Sequence, residues 1–201
     1  VLERISKRVE AAKQKERPLV AAIGDLKELA ASTMRNNTAY ESNKTGYSIQ
    51  SGLGSESDYV KGINLNDTSL IIFNHKARFN NDRDIEIFSR LQPGEDSTAP
   101  SIQDINPYKS RNGIFKDKYY KLRPNVPCKT ITAHMRLDCN MYIHPAQARG
   151  LTVREAARVQ GFPDNYVFCG TLQAMYRQVG NAVPPPLAKV LASAIYPEVS
   201  R

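Results

Sequence analysis

The residues with the clearest capacity for chemistry lie in one basic segment, from Lys109 to Arg136. It holds eight Lys and Arg residues against one acidic residue, so it carries seven of the eight net positive charges of the 201-residue chain. Cationic side chains bind phosphates and aromatic rings stack on bases, so this mixture indicates a nucleic-acid surface. A solvated charged face explains the composition about equally well. The interleaved aromatic residues are Tyr108, Phe115, Tyr119 and Tyr120.

The three cysteines and three histidines do not form a second chemical site. Cys128 follows a proline, but no histidine that could serve as its base lies nearby in sequence, so we expect no catalytic residue here. Cys139 and Cys169 are expected to be small, partly buried side chains. No Cys-x-x-Cys pair and no closely spaced histidines occur, so we predict no metal site and a reducing, intracellular compartment.

Length and hydropathy limit the architecture that positions these groups. The chain is long enough for one domain or two small ones, and its apolar stretches are far shorter than the roughly 20 residues that cross a bilayer. No membrane span is predicted. The chain begins with Val1 and early charges, which is unlike a signal peptide and indicates a piece of a longer protein.

Hydrophobic spacing predicts most of the elements. Residues 1–17, 19–31 and 84–91 have helical spacing. Residues 36–67 are polar and rich in Asn and Gly, which predicts a long loop. A strand is predicted over 69–73. Three more short strands are predicted to form a small antiparallel sheet: residues 119–122, 129–133 and 141–143.

The last third has clear helix signals. A capping box starts a helix over 152–160. A helix over 171–179 is expected to end at Gly180 in the left-handed conformation, and the last helix, 187–196, follows three prolines. One apolar stripe on that helix is expected to be buried: Leu187, Val190, Leu191, Ala194 and Ile195.

Two blocks in this region carry a resemblance to a known family. Residues 149–164 read RGLTVREAARVQGFPD and residues 176–188 read YRQVGNAVPPPLA. Both are similar, in order and spacing, to the last two conserved blocks of the DNA cytosine-5 methyltransferases. With weaker similarity upstream, the resemblance covers about residues 20–196.

The resemblance implies a mixed α/β fold in three parts. Residues 1–35 would be a helical connector, residues 36–148 a small target-recognition domain with short antiparallel strands, and residues 149–201 helices that return to a Rossmann-like lobe. The main sheet of that lobe is missing from this sequence. Members of the family transfer a methyl group from S-adenosylmethionine to C5 of a cytosine flipped out of duplex DNA. The family's glycine-rich, Pro-Cys and Glu-Asn-Val motifs are not matched, so the isolated chain is expected to be inactive.

The resemblance also implies site residues. Thr130 matches a threonine that binds a backbone phosphate, and Asn181 matches an asparagine beside the amino-acid end of the cofactor, followed by Ala182, which can contribute only its backbone. Arg154, Glu155 and Arg158 are expected to brace the two lobes through ion pairs and not to contact substrate. The expected DNA contacts are Lys116, Lys118, Lys121, Arg123, Lys129, Thr130 and Thr132.

The implied partners are double-stranded DNA and the missing catalytic lobe, in a bacterial, cytoplasmic and nucleoid-associated setting. The isolated chain is also expected to self-associate through its apolar stripe. Two alternatives remain open: the small subunit of a split methyltransferase, and a non-catalytic DNA-binding regulatory chain. The recognised DNA sequence does not follow from these residues, because base choice depends on loop geometry.

Overall fold

Short helices and one small sheet make up a mixed α/β fold in the computed structural model, which confirms the predicted class. The structure describes residues 2–12, 15–35, 39–52, 57–65, 71–111, 113–114, 118–137 and 140–199, with side chains to 197. The α-helices of this described part are α1 (Leu2–Ala11), α2 (Leu19–Ile23), α3 (Asp58–Ile63), α4 (Asp82–Arg90), α5 (Val153–Val159), α6 (Leu172–Asn181) and α7 (Pro185–Val199).

The sheet consists of two antiparallel strands, β1 (Gly46–Ser51) and β2 (Ile71–Lys76), with Gly46 opposite Lys76. The prediction of a continuous loop over 36–67 is therefore wrong, because β1 and α3 both lie within it. β1 escaped detection because most of its residues are exposed or half-buried. Its partner strand is distant in sequence, so local periodicity carries little signal.

The predicted three-stranded sheet does not form as such. Lys121 and Ile143 make an isolated parallel bridge, and Ile143 and Gly150 an antiparallel one. Residues 129–132 run without regular structure into a 3-10 turn, Ala133–Arg136. Pro124 and Pro127 lack the amide hydrogens that a longer ladder needs in this region.

Local capping determines where several helices begin. The Asn81 side chain accepts from the Asp84 amide at 2.9 Å, so α4 begins two residues earlier than predicted. The capping box of α5 is present: Thr152 accepts from the Glu155 amide and Glu155 accepts from the Thr152 amide. Thr171 caps α6 as predicted. In contrast, α2 ends at Ile23, well short of the predicted residue 31.

One hydrophobic cluster joins all three predicted segments of the chain. It contains Leu19 of α2, Leu122 and Tyr142 of the central region, and Ala156 and Tyr176 of the final helices. A smaller cluster packs α4 against the residues around Tyr119. The central segment and the last helices therefore share one core.

The last helix is partly covered by the first. The Arg8 guanidinium donates to the Ala194 carbonyl at 3.0 Å, and Ala194 is 2% exposed. Leu187 and Ile195 remain 45% and 41% exposed, so α1 covers only part of the predicted apolar stripe. In the described residues, no helix is long and apolar enough to cross a membrane.

Candidate nucleic-acid interface

The segment from Thr130 to Thr132 forms the centre of the candidate interface and is held by one buried tyrosine. The Tyr142 hydroxyl donates to the Thr130 carbonyl at 2.7 Å and accepts from the Thr132 amide at 3.2 Å. The Thr132 hydroxyl lies 3.2 Å from the same oxygen. Because a tyrosine has one hydroxyl proton, the Thr132 hydroxyl donates in this third bond. Thr130 itself is exposed, so the segment presents its hydroxyl to solvent.

Helix α6 packs directly on this segment at Gly180. A Cβ atom added to Gly180 would lie 2.5 Å from the carbonyl carbon and oxygen of Thr132 and from the amide nitrogen of Ala133. Only a residue without a side chain allows this approach. Helix α6 runs through Gly180 to Asn181, and neither residue is left-handed. The predicted left-handed helix end is therefore wrong, and Gly180 is required for backbone contact instead.

Arg78 holds the 3-10 turn that follows Thr132. Its guanidinium donates to the carbonyls of Met135 at 3.2 Å and Leu137 at 3.1 Å. It also lies over the Tyr176 ring, 5.4 Å from the centroid. Tyr176 in turn donates to the Leu151 carbonyl at 2.7 Å. Arg78 thus connects the turn to the residues that follow β2 and to α6.

Two of the predicted cationic DNA contacts, Lys129 and Lys118, are half-buried beside aromatic rings. Lys129 lies over the Tyr120 and Tyr142 rings, at 5.1 and 5.6 Å from their centroids. Lys118 lies 5.0 Å from the centroid of the Tyr108 ring. These contacts orient the ammonium groups next to aromatic faces. Lys116 lies outside the described residues.

Arg123 is exposed and rests on a glycine turn. Gly94 has a φ of +94°, and a side chain there would collide with the Arg123 guanidinium. The Gly94 amide donates to the Lys121 carbonyl at 2.7 Å, which fixes the turn beside Arg123. Within the described part of the chain, the guanidinium makes no hydrogen bond or ion pair. It is therefore available to a phosphate or to a base edge.

Lys121 occupies the interior instead of the surface. It is 7% exposed, and its ammonium donates to the carbonyls of Phe88 at 2.9 Å and Leu91 at 2.8 Å. These carbonyls end α4, where a cation satisfies groups that lack helical partners. Burial also lowers the pKa of Lys121. We therefore replace the DNA contact predicted from sequence with a structural role.

Neither of the two cysteines that the structure describes, Cys128 and Cys169, is placed as a nucleophile. Burial raises the pKa of the Cys128 thiol to about 12, despite the nearby charge of Lys129. The thiol is therefore protonated at neutral pH and a poor nucleophile. Cys169 is exposed, contrary to the expected partial burial, and Cys139 lies outside the described residues. In the described part of the chain, no group of His, Cys, Asp and Glu side chains is arranged to hold a metal ion.

The two residues predicted to meet the cofactor lie at the end of α6. Asn181 is exposed, and within the described residues its side chain forms no hydrogen bond. The Ala182 amide donates to the Val179 carbonyl at 3.3 Å, so its carbonyl is the backbone group left for a ligand. An exposed amide fits a carboxylate or ammonium group. Because Gly180 directly precedes Asn181, its contact with Thr132 places Asn181 close to the Thr130–Thr132 segment.

The start of helix α5 is held by a buried ion pair. The Arg149 guanidinium donates to both Glu155 carboxylate oxygens at 2.7 Å, and these side chains are 0% and 1% exposed. Burial alone would raise the pKa of Glu155, but the charge and hydrogen bonds of Arg149 hold it well below its usual range. Burial lowers the pKa of the adjacent His75, and that of His144 to about 4. Both imidazoles are therefore neutral beside this pair at neutral pH.

The predicted ion pair of Arg158 is also present. Its guanidinium donates to both Asp164 oxygens, at 2.7 and 2.8 Å, and to Asp25 at 2.6 Å. Arg154 differs from the prediction, because it donates to backbone carbonyls, including Phe73 of β2 at 2.7 Å. These contacts join α5 to the residues after α2 and to β2, and both guanidinium groups are buried and hydrogen-bonded.

Sequence reasoning missed three of the residues that shape this interface: Tyr142, Arg78 and Gly94. Each acts on atoms at least 10 positions away along the chain. Arg78 and Gly94 lie in segments with weak family resemblance, and Pro93-Gly94 otherwise indicates only the end of a helix. Tyr142 was visible only as part of a short strand candidate. Tertiary contacts, rather than local pattern, assign their roles.

Similarity to known proteins extends along almost the whole chain. Residues 4–197 match the family model of C-5 cytosine-specific DNA methylase. The chain is 35% identical over 159 residues to type II methyltransferase M.Bpa9945I of Bacillus paralicheniformis. This alignment covers 74% of this chain and 34% of that protein. It is 46% identical over 86 residues to type II methyltransferase M.AgeI of Thalassovita gelatinovora, covering 43% and 20%. It is 65% identical over 83 residues to DNA (cytosine-5)-methyltransferase 1B of Oryza sativa subsp. japonica, covering 40% and 5%.

A solved structure shares the fold. It is a protein described as a DNA modification methyltransferase encoded within an E. coli prophage, with a TM-score of 0.59 and 22% identity over 90% of this chain and 46% of that chain. The chain thus spans about a third or less of the three sequence relatives and about half of the solved protein. Because the family model matches nearly every residue, the chain belongs to the C-5 cytosine-specific DNA methylase family.

Proposed function

We propose that this chain is the DNA-recognition and cofactor-wall part of a DNA cytosine-5 methyltransferase that acts on duplex DNA. The observation that carries the proposal is the backbone contact between Gly180 and Thr132. It brings Thr130, the expected phosphate contact, and Asn181, the expected cofactor contact, to one point of the fold. The family-like block at residues 176–188 therefore meets the Thr130–Thr132 segment in space.

The proposed DNA surface combines contacts that fix the position of the DNA backbone with one group that can recognise a base. Thr130 offers a neutral hydroxyl, while Lys118 and Lys129 offer charge beside aromatic rings, which suits phosphate and sugar contacts. Arg123 has an uncommitted guanidinium over Gly94, which suits bidentate recognition of guanine or of a phosphate. Lys116 remains part of the proposed surface, whereas Lys121 does not.

S-adenosylmethionine would contact this chain at the end of α6. The Asn181 amide would bind the amino-acid end of the cofactor, and the Ala182 carbonyl is available beside it. When bound, the cofactor supplies the methyl group. The residues assigned here cover a small part of such a ligand, so its remaining contacts would come from a catalytic lobe.

We assign no catalytic residue to this chain and propose that it does not methylate DNA alone. Cys128 would have to lose a proton at a pKa of about 12 to act as a nucleophile. Methyl transfer from radiolabelled cofactor to duplex DNA, with and without a catalytic lobe supplied separately, tests this directly. Incorporation by the 201-residue chain alone, abolished by Cys128→Ser, would contradict the proposal.

Salt-dependent DNA binding tests the proposed surface. Removal of one cation that touches a phosphate should reduce the slope of log affinity against log salt by roughly 0.9. We expect this change for Lys129→Ala and Lys118→Ala with duplexes of any sequence. Lys7→Ala, on α1, is the matched control because Lys7 is exposed and pairs with Glu3 of its own helix. Equal slopes for all three variants would place the interface elsewhere.

A further inference from the structure

A cavity of about 670 Å³ lies between the β1–β2 sheet and the first turn of α6. Its walls include Met34 and Arg35, the end of β2 and the residues that follow it (Asn74, Lys76, Ala77, Arg78 and Phe79), and the start of α6 with its cap (Thr171, Leu172, Gln173 and Met175). None of the residues assigned above to DNA or cofactor lines it. Its volume is that of a typical small-molecule site.

The polar wall of this cavity is cationic. Arg35, Lys76 and Arg78 all line it, and the described lining contains no carboxylate. The carboxylate that comes near, Glu41, lies 4.0 Å from the Lys76 ammonium. Glu41 accepts from the Ser48 amide at 2.7 Å and does not line the cavity. Three cations facing one small volume favour an anion with several oxygen acceptors, such as a phosphate.

The remaining wall suits a flat apolar group. Met34, Phe79 and Met175 line the cavity together with aliphatic side chains. The Arg35 guanidinium lies over the Phe79 ring, 5.2 Å from its centroid, so this aromatic residue is already stacked on one face. Methionine side chains and aromatic rings pack well against planar rings. A cavity of this size also exceeds what a phosphate alone requires.

We propose that this cavity binds a nucleotide, with its phosphate at Arg35 and Lys76 and its base against Met34, Phe79 and Met175. Arg78 adds charge to the phosphate side while it holds the Met135 and Leu137 carbonyls. The nucleotide is either free in solution or part of a nucleic-acid strand, since both present the same phosphate and base. This site does not depend on the proposed function of the Thr130 surface, which consists of Thr130, Lys118, Arg123 and Lys129.

Calorimetric titration of the 201-residue chain with adenosine 5′-monophosphate tests the site. Inorganic phosphate and adenosine serve as its two partial ligands, and both should bind more weakly than the nucleotide. Arg35→Gln and Lys76→Gln should each weaken nucleotide binding about tenfold or more, because each removes a charged hydrogen-bond donor. Lys7→Gln, on a helix that lines no part of the cavity, should bind like the unaltered chain.

Duplex DNA provides the second arm. If the monophosphate does not bind but both cavity variants weaken duplex binding, the site takes a nucleotide of a strand. Lys129→Ala separates the two proposals, because it should weaken DNA binding through the Thr130 surface and leave the monophosphate affinity unchanged. Arg35 is exposed, so its variant remains informative if Lys76→Gln does not fold. Unchanged binding of both ligands by Arg35→Gln, or phosphate binding as tight as that of the nucleotide, overturns the inference.

Discussion

The Tyr142 hydroxyl organises the Thr130 segment, and its removal offers the sharpest test of that role. Tyr142→Phe keeps the ring in the core but deletes the group that contacts the Thr130 carbonyl and both the amide and hydroxyl of Thr132. Leaving a buried polar group without a partner costs about 1–3 kcal/mol. We therefore expect the free energy of unfolding to fall by roughly 2 kcal/mol in urea titrations.

A second tyrosine gives a matched control. Tyr176 is also buried, at 0% exposed, and its hydroxyl donates to the Leu151 carbonyl at 2.7 Å. Tyr176→Phe should lower stability by a similar amount, about 1–2 kcal/mol. It leaves the bonds of the Tyr142 hydroxyl to Thr130 and Thr132 intact. The pair therefore separates loss of stability from loss of local order at the interface.

DNA affinity is the measurement that distinguishes the two variants. Fixing the backbone of one residue costs about 1–2 kcal/mol, so a segment loosened by Tyr142→Phe must be ordered again when DNA binds. Fluorescence anisotropy with a labelled duplex should show roughly tenfold weaker binding, which corresponds to about 1.4 kcal/mol. Tyr176→Phe should bind as the unaltered chain does. Equal DNA affinities for the two folded variants would refute the role given to Tyr142.

Three other predictions concern stability and assembly. Glu155→Ala should lower the free energy of unfolding in urea by about 3–5 kcal/mol, because it leaves Arg149 charged and buried without its partner. Glu86→Ala, which removes an exposed ion pair, should lower it by less than about 1 kcal/mol. Similar losses for the two variants would contradict this reasoning. Burial lowers the pKa of His144 from 6.5 to about 4, so the contribution of its neutral form to stability is full above pH 6.5 and should fall by about 3 kcal/mol toward pH 4. His144→Asn should remove this part of the pH profile and leave the part due to His75, whose pKa burial also lowers; an unchanged profile would assign the decline to other groups. Sedimentation at tens of micromolar should show that the chain self-associates through the exposed residues of α7, and that the Leu187→Glu variant is monomeric. A monomeric unaltered chain would contradict self-association through this stripe.

Local sequence determined the features whose physics is local. The capping box at Thr152 and the cap at Thr171 are hydrogen bonds across three residues, so residue types at fixed spacing predict them. The ion pairs of Glu155 and Arg158 follow from the family resemblance, which implies a bracing role for the charged residues of this helix. The family followed from two long blocks in order and at the right spacing, a pattern that does not depend on the fold being known.

Tertiary structure decided which of the candidate groups face solvent and which are used inside. Lys121 and Arg123 are two positions apart in the same basic segment. The Lys121 ammonium is buried and donates to the carbonyls at the end of α4, whereas the Arg123 side chain is exposed and lies against Gly94. Likewise, Gly180 is a contact residue because Thr132 approaches it, not because a helix ends there. The composition of a segment gives the number of its charges and glycines but not whether each side chain points to solvent or to the interior. Residues distant in sequence decide this, because burial and hydrogen bonding depend on which chain segments meet in space.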